Sequence, residues 1–116
     1  VGSEMCIRDR NKVAVIETTC AGAESAKLIA ETLVFERFAA CAQIGSPITS
    51  IYRWKGKVEN SEEFPIYIKT SPEKLEAAIA RLSEIHPYEC PQILFREENS
   101  SKSYAQWCAQ SAVRQD

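Results

Sequence analysis

The sequence predicts an α+β domain with the ferredoxin-like order βαββαβ, followed by a C-terminal helix. A long hairpin rich in β-branched and aromatic residues occupies the middle of the chain, from about Cys41 to about Thr70. A helical repeat of apolar residues lies on each side of this hairpin, and short strands precede the first repeat and follow the second. Two β-α-β halves with right-handed crossovers then give a four-stranded antiparallel sheet with both main helices on one face.

The first half of the domain is a strand followed by a helix. Lys12–Thr18 is a β-branched run that stops before the Ala21-Gly22 break, which predicts a strand. Glu24–Phe38 predicts a helix, because its apolar residues recur at helical spacing. The apolar stripe of this helix consists of Ala26, Ile29, Ala30 and Leu33.

The central hairpin folds back at Lys55-Gly56-Lys57, between the arms Cys41–Trp54 and Lys57–Thr70. A straight arm of 14 residues would reach roughly 46 Å at about 3.3 Å per residue. A compact domain of this length is only about 33 Å across, so the hairpin is longer than the body that bears it. We therefore expect it to bend at Gly45 and Pro47 and its tip to project onto another subunit.

The second half of the domain begins at Ser71-Pro72, where Ser71 suits a helix cap and Pro72 the first helical position. The predicted helix ends at about Ile85, because His86 precedes a proline and is pushed out of helical dihedral angles. Its apolar face is formed by Leu75, Ala78, Ile79, Leu82 and Ile85. Gln92–Glu97 predicts the fourth strand. The last helix has an apolar side formed by Tyr104, Trp107, Cys108 and Ala112.

One face of the predicted sheet has no main helix packed against it. Apolar residues on that face need a cover, and the C-terminal helix or a partner subunit are the two candidates.

Composition argues against several classes of function. The formal net charge is -2, whereas a nucleic-acid-binding domain needs a basic face to neutralise phosphates. No apolar run approaches the roughly 20 residues that span a bilayer. We therefore expect no nucleic-acid partner and no membrane partner. Five cysteines without regular spacing are typical of reduced thiols, which favours a cytoplasmic location.

The N-terminal segment is treated separately from the domain. Val1–Arg10 has no strand or helix periodicity and no apolar signal-peptide core, and its string MCIRDR resembles a translated sequencing-library adapter. We interpret residues 1–10 as a non-native extension and residues 11–116 as a single domain. A lost organellar targeting peptide upstream of that domain stays open.

Histidine and cysteine are the candidate metal ligands and nucleophiles. His86 is the single histidine, and its close pairing with Cys90 lacks the second ligand pair that is typical of a structural zinc site. Nucleophilic catalysis would have to run through His86, but no strained elbow or Gly-rich oxyanion loop accompanies it, so we expect no enzyme activity. Cys41, flanked by alanines, suits a small buried slot; ligation of a soft metal is the alternative.

Aromatic residues alternate along both arms of the hairpin. If the arms pair about Gly56, one strip of sheet holds Tyr52, Trp54, Tyr67 and Lys69. With Glu62, Glu63 and Glu89 nearby, this strip predicts a groove for a cation or a small ligand. An aromatic interface between subunits is the alternative, and both hold if the groove lies between subunits. Taken alone, Glu59, Glu62 and Glu63 are typical of a solvated charge cluster that protects a strand edge.

Several blocks of the chain resemble the CutA family of divalent-cation-tolerance proteins. They are Arg37–Ala42, Ser50–Lys57 and His86–Ile93, in this order and spacing, together with Glu62-Glu63 and Lys69-Thr70. The resemblance covers about 13–113. It implies a ferredoxin-like fold, a homotrimer built by the long hairpins, a PII-like regulatory or ligand-binding role, and a part in tolerance of copper and other divalent ions.

The resemblance also implies site residues. A ligand-binding cleft between subunits would be formed by Tyr52, Trp54, Lys69, Tyr88 and Glu89. A metal site would use Cys41 and His86, with no required cofactor and with copper, another divalent cation or a small anion as ligand. Departures from the family's copper-binding pattern are Thr18 in place of a cysteine, Ile85 in place of a histidine, and Gln92 in place of a glutamate. The alternative function is a structural or adaptor trimer without metal or catalytic activity.

Overall fold

The computed structural model describes residues 11–113. The interpretation of residues 1–10 as an extension therefore lies outside the described residues. The strands within this range are β1 (Lys12–Cys20), β2 (Cys41–Ile44), β3 (Ile48–Trp54), β4 (Lys57–Thr70) and β5 (Leu94–Asn99). The helices are α1 (Ala23–Phe35), α2 (Leu75–Ile85), which follows a 3₁₀ turn at Pro72–Lys74, and α3 (Lys102–Ser111).

The strand order confirms the predicted ferredoxin-like arrangement. All pairs are antiparallel and the sheet runs β2-β4-β1-β5, while β3 pairs with the outer part of β4. Helices α1 and α2 cover one face, where Ile16 and Ile68 from the sheet pack with Leu33 and Leu82 from the helices. All four of these side chains are fully buried. The C-terminal helix α3 packs on part of the other face, which is called the open face below.

The observed elements differ from the predicted ones mainly at their ends. Helix α1 stops at Phe35 rather than Phe38, because Arg37 adopts a left-handed backbone with φ of 65°. The N–H of Phe38 then donates to the carbonyl of Leu33 at 2.9 Å, a reversal typical of helix C-termini. At the start of the second half, the Ser71 hydroxyl accepts from the N–H of Lys74 at 3.3 Å, as its predicted capping role requires.

The predicted bend in the hairpin is confirmed, and it contains one extra residue. Ile44 of β2 pairs with Ile66, whereas Ile48 of β3 pairs with Glu63. An advance of four residues along the first arm therefore lies opposite an advance of three residues along the second. This is the geometry of a β-bulge. The N–H of Gly45 donates to the Pro65 carbonyl at 2.9 Å, and a Cβ at Gly45 would lie 2.9 Å from Pro65 Cγ, which explains the glycine. The bend divides the first arm into β2 and β3, giving five strands rather than four.

The outer part of the hairpin projects from the body of the domain. The chain measures 52 × 37 × 23 Å along its principal axes. Lys55 and Gly56 form the two-residue turn with φ of 51° and 81°, the pattern of a type I′ hairpin turn. On the projecting ribbon Ile51 is 73% and Val58 62% exposed. Contact of this tip with another subunit stays a prediction.

No helix among residues 11–113 combines the length and the apolar character needed to cross a membrane.

Candidate functional site

A groove of about 720 Å³ lies where the projecting ribbon meets the segment that follows α2. One wall is β3, from Ser50 to Trp54, and the other is the segment from Tyr88 to Gln92. Thr19 and Glu63 also line it. The structure thus brings together four of the five residues predicted for the cleft, namely Tyr52, Trp54, Tyr88 and Glu89.

A buried carboxylate, Glu63, lies in this groove. Its side chain belongs to a residue that is only 8% exposed. Its Oε2 accepts from the Tyr88 hydroxyl at 2.7 Å and from the Thr19 hydroxyl at 3.2 Å. Burial alone raises the pKa of Glu63, but hydrogen bonds from Ser50, Tyr88 and Thr19 outweigh it and hold that pKa below its ordinary value. The carboxylate is therefore ionised at neutral pH.

His86 lies behind the groove and is 7% exposed. Its Nε2 is 2.9 Å from the carbonyl oxygen of Thr19, and its Nδ1 is 3.2 Å from the backbone nitrogen of Tyr88. A carbonyl oxygen only accepts and a backbone N–H only donates, so Nε2 carries the proton and the Nδ1 lone pair accepts. Burial lowers the pKa of His86, although the Thr19 carbonyl and the Glu63 charge act in the opposite direction. The ring is neutral, and both of its nitrogens are used within the chain.

The local sequence explains how Tyr88 reaches Glu63. His86 caps α2 with an extended backbone, as the following Pro87 requires. The chain then turns toward the groove, and the rings of His86 and Tyr88 meet edge to face at 4.8 Å. Burial and the bond to Glu63 raise the pKa of the Tyr88 hydroxyl, so that this group is a neutral donor. His86 thus positions Tyr88, and Tyr88 holds the Glu63 carboxylate.

The aromatic wall of the groove is accessible. Tyr52 and Trp54 are 43% and 40% exposed. The Tyr52 hydroxyl is 3.4 Å from the Ser61 hydroxyl, while Lys55 Nζ lies 5.7 Å from the centroid of the Trp54 ring. Trp54 therefore already accepts one cation on its face, which is the contact that a cationic ligand would make. With exposed Glu89 at its rim, the groove offers carboxylates and aromatic faces to a positively charged ligand.

The structure does not bring Lys69 into this groove within one chain. Lys69 pairs with Cys41 and Val15 across the sheet and bonds the side chain of Gln43. It lies six residues from Glu63 along β4, or about 20 Å at 3.3 Å per residue. There it lines a smaller cavity of about 290 Å³ on the open face, together with Arg96 and other residues.

The two predicted metal ligands also lie apart in the single chain. Cys41 is at the start of β2 beside Lys69, whereas His86 bonds Thr19 beside the groove. Among residues 11–113, no three histidine, cysteine, aspartate or glutamate side chains are grouped closely enough to hold a metal ion. The metal-binding role of Cys41 and His86 stays a prediction.

A family model described as CutA1 divalent ion tolerance protein matches residues 14–111. The chain belongs to this family. Protein CutA from Homo sapiens is 38% identical over 93 residues, which are 79% of this chain and 52% of the human protein. The chain thus spans about half the length of that relative.

Two further members resemble this chain along most of their own length. Divalent-cation tolerance protein CutA from Thermus thermophilus is 35% identical over 94 residues, covering 80% of this chain and 91% of that protein. The crystal structure of CutA1 from Ehrlichia chaffeensis superposes with a TM-score of 0.84 at 30% identity, covering 88% of this chain and 96% of that one. The family description and the Thermus name refer to ion tolerance rather than to an enzyme reaction.

The sequence of this CutA1 family member predicted Glu63 near the aromatic strip but did not predict its burial. The prediction of a solvated cluster is wrong for this residue, which is buried, whereas Glu62 beside it is exposed. A signal was available in the strand pattern: side chains alternate between faces, so adjacent glutamates point to opposite sides. Thr19 and Ser50, the other donors to Glu63, had no sequence signal because each becomes a neighbour only through sheet pairing.

Acidification from neutral pH is expected to destabilise the fold through His86. Its folded-state pKa lies below the ordinary 6.5, so the unfolded chain binds a proton that the folded chain does not. The stabilisation of the folded chain by neutral His86 is complete above about pH 6.5 and is lost as the pH falls through the folded-state pKa of this residue. The ionised Glu63 carboxylate also stabilises the folded chain, but this contribution is lost only at more acidic pH, because the pKa of Glu63 is lowered from 4.5.

Urea unfolding between pH 8 and pH 5 measures this dependence. His86→Gln retains a donor toward Thr19 but does not titrate, so its midpoint should fall less between pH 7 and pH 5. His86 is the single histidine of the chain, so no other imidazole contributes in this window. If the urea midpoint falls equally with pH in His86→Gln and in the parent protein, the pH dependence does not come from His86.

Proposed function

We propose that this chain acts in divalent-cation tolerance as a homotrimer that binds a cation in the Glu63 groove. The observation that carries the proposal is the ionised, buried Glu63 carboxylate beside accessible aromatic faces. A buried charge is costly unless it is paired or fully hydrogen-bonded. Hydroxyl donors keep this carboxylate ionised, and a bound cation would add the opposite charge that these neutral donors do not supply. The role is one of binding, with no catalytic step.

The trimer is supported by the projecting ribbon formed by β3 and the outer part of β4. An isolated two-stranded ribbon is only marginally stable in water. This one exposes apolar side chains on both faces, with Ile51 and Val58 on one and Ile48, Tyr52 and Trp54 on the other. A neighbouring copy that covers the ribbon would remove these side chains from water. A PII-like regulatory role would rest on the same assembly, because the clefts would then lie between subunits.

Copper is among the divalent cations proposed as ligands. Glu63 and Glu89 offer carboxylate oxygens, but a complete set of metal ligands is absent from residues 11–113 of one chain. The remaining ligands would come from hydroxyl groups, backbone carbonyls or the neighbouring subunit. A site that combined Cys41 with His86 would have to draw them from different subunits, since they lie apart in one chain. The free state of the cysteines in the described part of the chain supports a reducing compartment such as the cytoplasm.

Light scattering combined with calorimetry tests this proposal. The expected mass is three times 13.0 kDa. Titration with Cu(II) and Zn(II) should give saturable heat, and Glu63→Gln, which removes the charge but keeps the shape, should weaken binding at least tenfold. Glu62→Gln is the matched control, because Glu62 is exposed and pairs with Thr49 on the opposite face of the ribbon.

The outcomes separate the parts of the proposal. A 13.0 kDa monomer would overturn the assembly. Equal affinity in Glu63→Gln and the parent protein would overturn the groove as the cation site. A trimer that binds neither ion, nor a small anion such as phosphate, would favour the structural or adaptor function instead.

A further inference from the structure

The Glu63 groove is much larger than a metal ion. It encloses about 720 Å³, whereas a bound Zn²⁺ or Ca²⁺ is held by atoms only about 2.0–2.6 Å away. Pockets that hold small organic molecules have volumes of about 300–1,000 Å³. Among residues 11–113, no three histidine, cysteine, aspartate or glutamate side chains lie closely enough together to hold a metal ion. The groove therefore has room for an organic ligand.

Aromatic rings line this groove on both sides. Tyr52 and Trp54 belong to β3, and Tyr88 belongs to the opposite wall. Residues two positions apart on a strand are separated by roughly 7 Å, and a ring face attracts a cation within about 6 Å of its centroid. One cationic head group can therefore contact both rings of β3. Lys55 Nζ, at 5.7 Å from the Trp54 centroid, already makes such a contact.

The charged residues of the groove also favour a cation. Glu63 is ionised and only 8% exposed, and exposed Glu89 belongs to the wall opposite β3. Arg53 is the one basic residue among the described lining residues. It alternates with Tyr52 and Trp54 along β3, so its side chain belongs to the other face of the ribbon. The groove thus combines aromatic faces with carboxylates.

Free hydrogen-bond acceptors are scarce in the groove. Oε2 of Glu63 already accepts from the Tyr88 hydroxyl at 2.7 Å and from the Thr19 hydroxyl at 3.2 Å. A primary ammonium group has three N–H donors, and each donor that is buried without an acceptor costs free energy. A quaternary ammonium group has no N–H donor, and its methyl groups pack directly on ring faces. The groove therefore suits a quaternary ammonium group better than a primary one.

We propose that the Glu63 groove binds a small organic cation whose head is a quaternary ammonium group. Tyr52, Trp54 and Tyr88 contact the methyl groups, and the Glu63 carboxylate supplies the opposite charge. The inference rests on the proposed function in one respect, since it uses the same groove and the same carboxylate. It names a different class of ligand from a divalent metal ion, and the two ligands compete because both need Glu63.

Calorimetric titration of the full chain with choline chloride tests this inference. Choline should give saturable heat, and sodium chloride at the same concentrations controls for ionic strength. Dimethylbutanol, the uncharged isostere in which carbon replaces the choline nitrogen, should bind at least tenfold more weakly. Absence of saturable heat with choline would overturn the inference. Equal affinity for the two probes would also overturn it, because the groove would then select apolar shape alone. Neither comparison depends on the folding of a variant.

Two tryptophans allow a matched comparison of position. The chain contains only Trp54 and Trp107, and Trp107 is also exposed, at 46%, but lies on α3 outside the groove. Trp54→Leu should weaken choline binding at least tenfold, whereas Trp107→Leu should bind as the parent protein does. Choline should also quench the fluorescence of Trp107→Leu, which retains Trp54. Unchanged affinity in Trp54→Leu would overturn the inference.

Removal of the internal cation provides a test in the opposite direction. Lys55→Met removes the ammonium group that lies over Trp54, so choline no longer has to displace it. Choline affinity should rise about two- to fivefold, which corresponds to an exposed cation–π contact. Lys27→Met is the control, because Lys27 is exposed on α1 outside the groove. Equal affinity in both variants would exclude the Trp54 face as the ligand contact.

Titration with Zn(II) separates this inference from the proposed function. Zn(II) binding without choline binding would overturn the inference and leave the role in binding divalent cations intact. Choline binding without Zn(II) binding would support the inference and overturn that role for the groove. If both bind, Zn(II) should weaken choline binding, and Glu63→Gln should weaken both at least tenfold. Independent binding of the two would contradict a shared site at Glu63.

Discussion

Replacing both Ile51 and Val58 with glutamate is expected to convert the proposed trimer into monomers. These two side chains share one face of the projecting ribbon and are 73% and 62% exposed in the single chain. Burial of such an aliphatic side chain contributes about 1.5–3 kcal/mol, and every copy in a trimer contributes both. The double substitution removes these contributions and adds charges that an interface would have to desolvate. Light scattering should give 13.0 kDa instead of three times that mass.

A matched substitution distinguishes interface loss from a general effect of added charge. Leu28 on α1 is also a large exposed aliphatic residue, at 66%, but it lies away from the ribbon. Leu28→Glu should leave the assembly unchanged. Dissociation in both variants would argue against a specific role of the ribbon, and a trimer that persists in the double variant would exclude it as the main contact.

Glu63→Leu is expected to lower the free energy of unfolding by about 1–3 kcal/mol, the cost of leaving a buried donor without an acceptor. The Thr19 hydroxyl is the donor most affected, because Thr19 is 7% exposed and gains no access to water. Tyr88 loses the same acceptor. Glu63→Gln should cost less, since its amide oxygen still accepts. Urea unfolding at one fixed chain concentration measures the difference, because assembly makes stability depend on concentration.

Glu62→Leu is the control for this effect. Glu62 is exposed on the opposite face of the ribbon, so its replacement should change stability by no more than about 0.5 kcal/mol. If the variants at the two positions unfold alike, the hydroxyls around Glu63 do not depend on its carboxylate, and the view of the groove as a preformed anionic site fails.

The fold was predictable because its signals are local. The turn at Lys55-Gly56, the apolar stripe with Leu33, and the cap at Ser71 each depend on residues within a few positions of one another. Right-handed crossover connections then leave few arrangements for such an order of elements. Element ends were less predictable, as Arg37 illustrates, because a residue other than glycine seldom adopts a left-handed backbone.

The candidate site was predictable from strand alternation for one wall only. Tyr52 and Trp54 alternate on one strand, which predicted that they share a strip, whereas Tyr88 was assigned to the cleft through the resemblance to the CutA family. Lys69 was grouped with them from its alternation with Tyr67, yet distance along β4 keeps it near Cys41 instead.

The extra residue at the hairpin bend determines which side chains lie on the same face of the ribbon. Ile44 and Ile48 are an even number of positions apart, yet Ile44 pairs with Ile66 on the helical side and Ile48 pairs with Glu63 on the other. Every side chain beyond the bend is thereby inverted relative to a continuous strand. Tyr52 and Trp54 consequently share a side with Glu63. Deletion of one residue at this bend would turn Tyr52 and Trp54 to the face opposite Glu63, so that the three side chains no longer lie together.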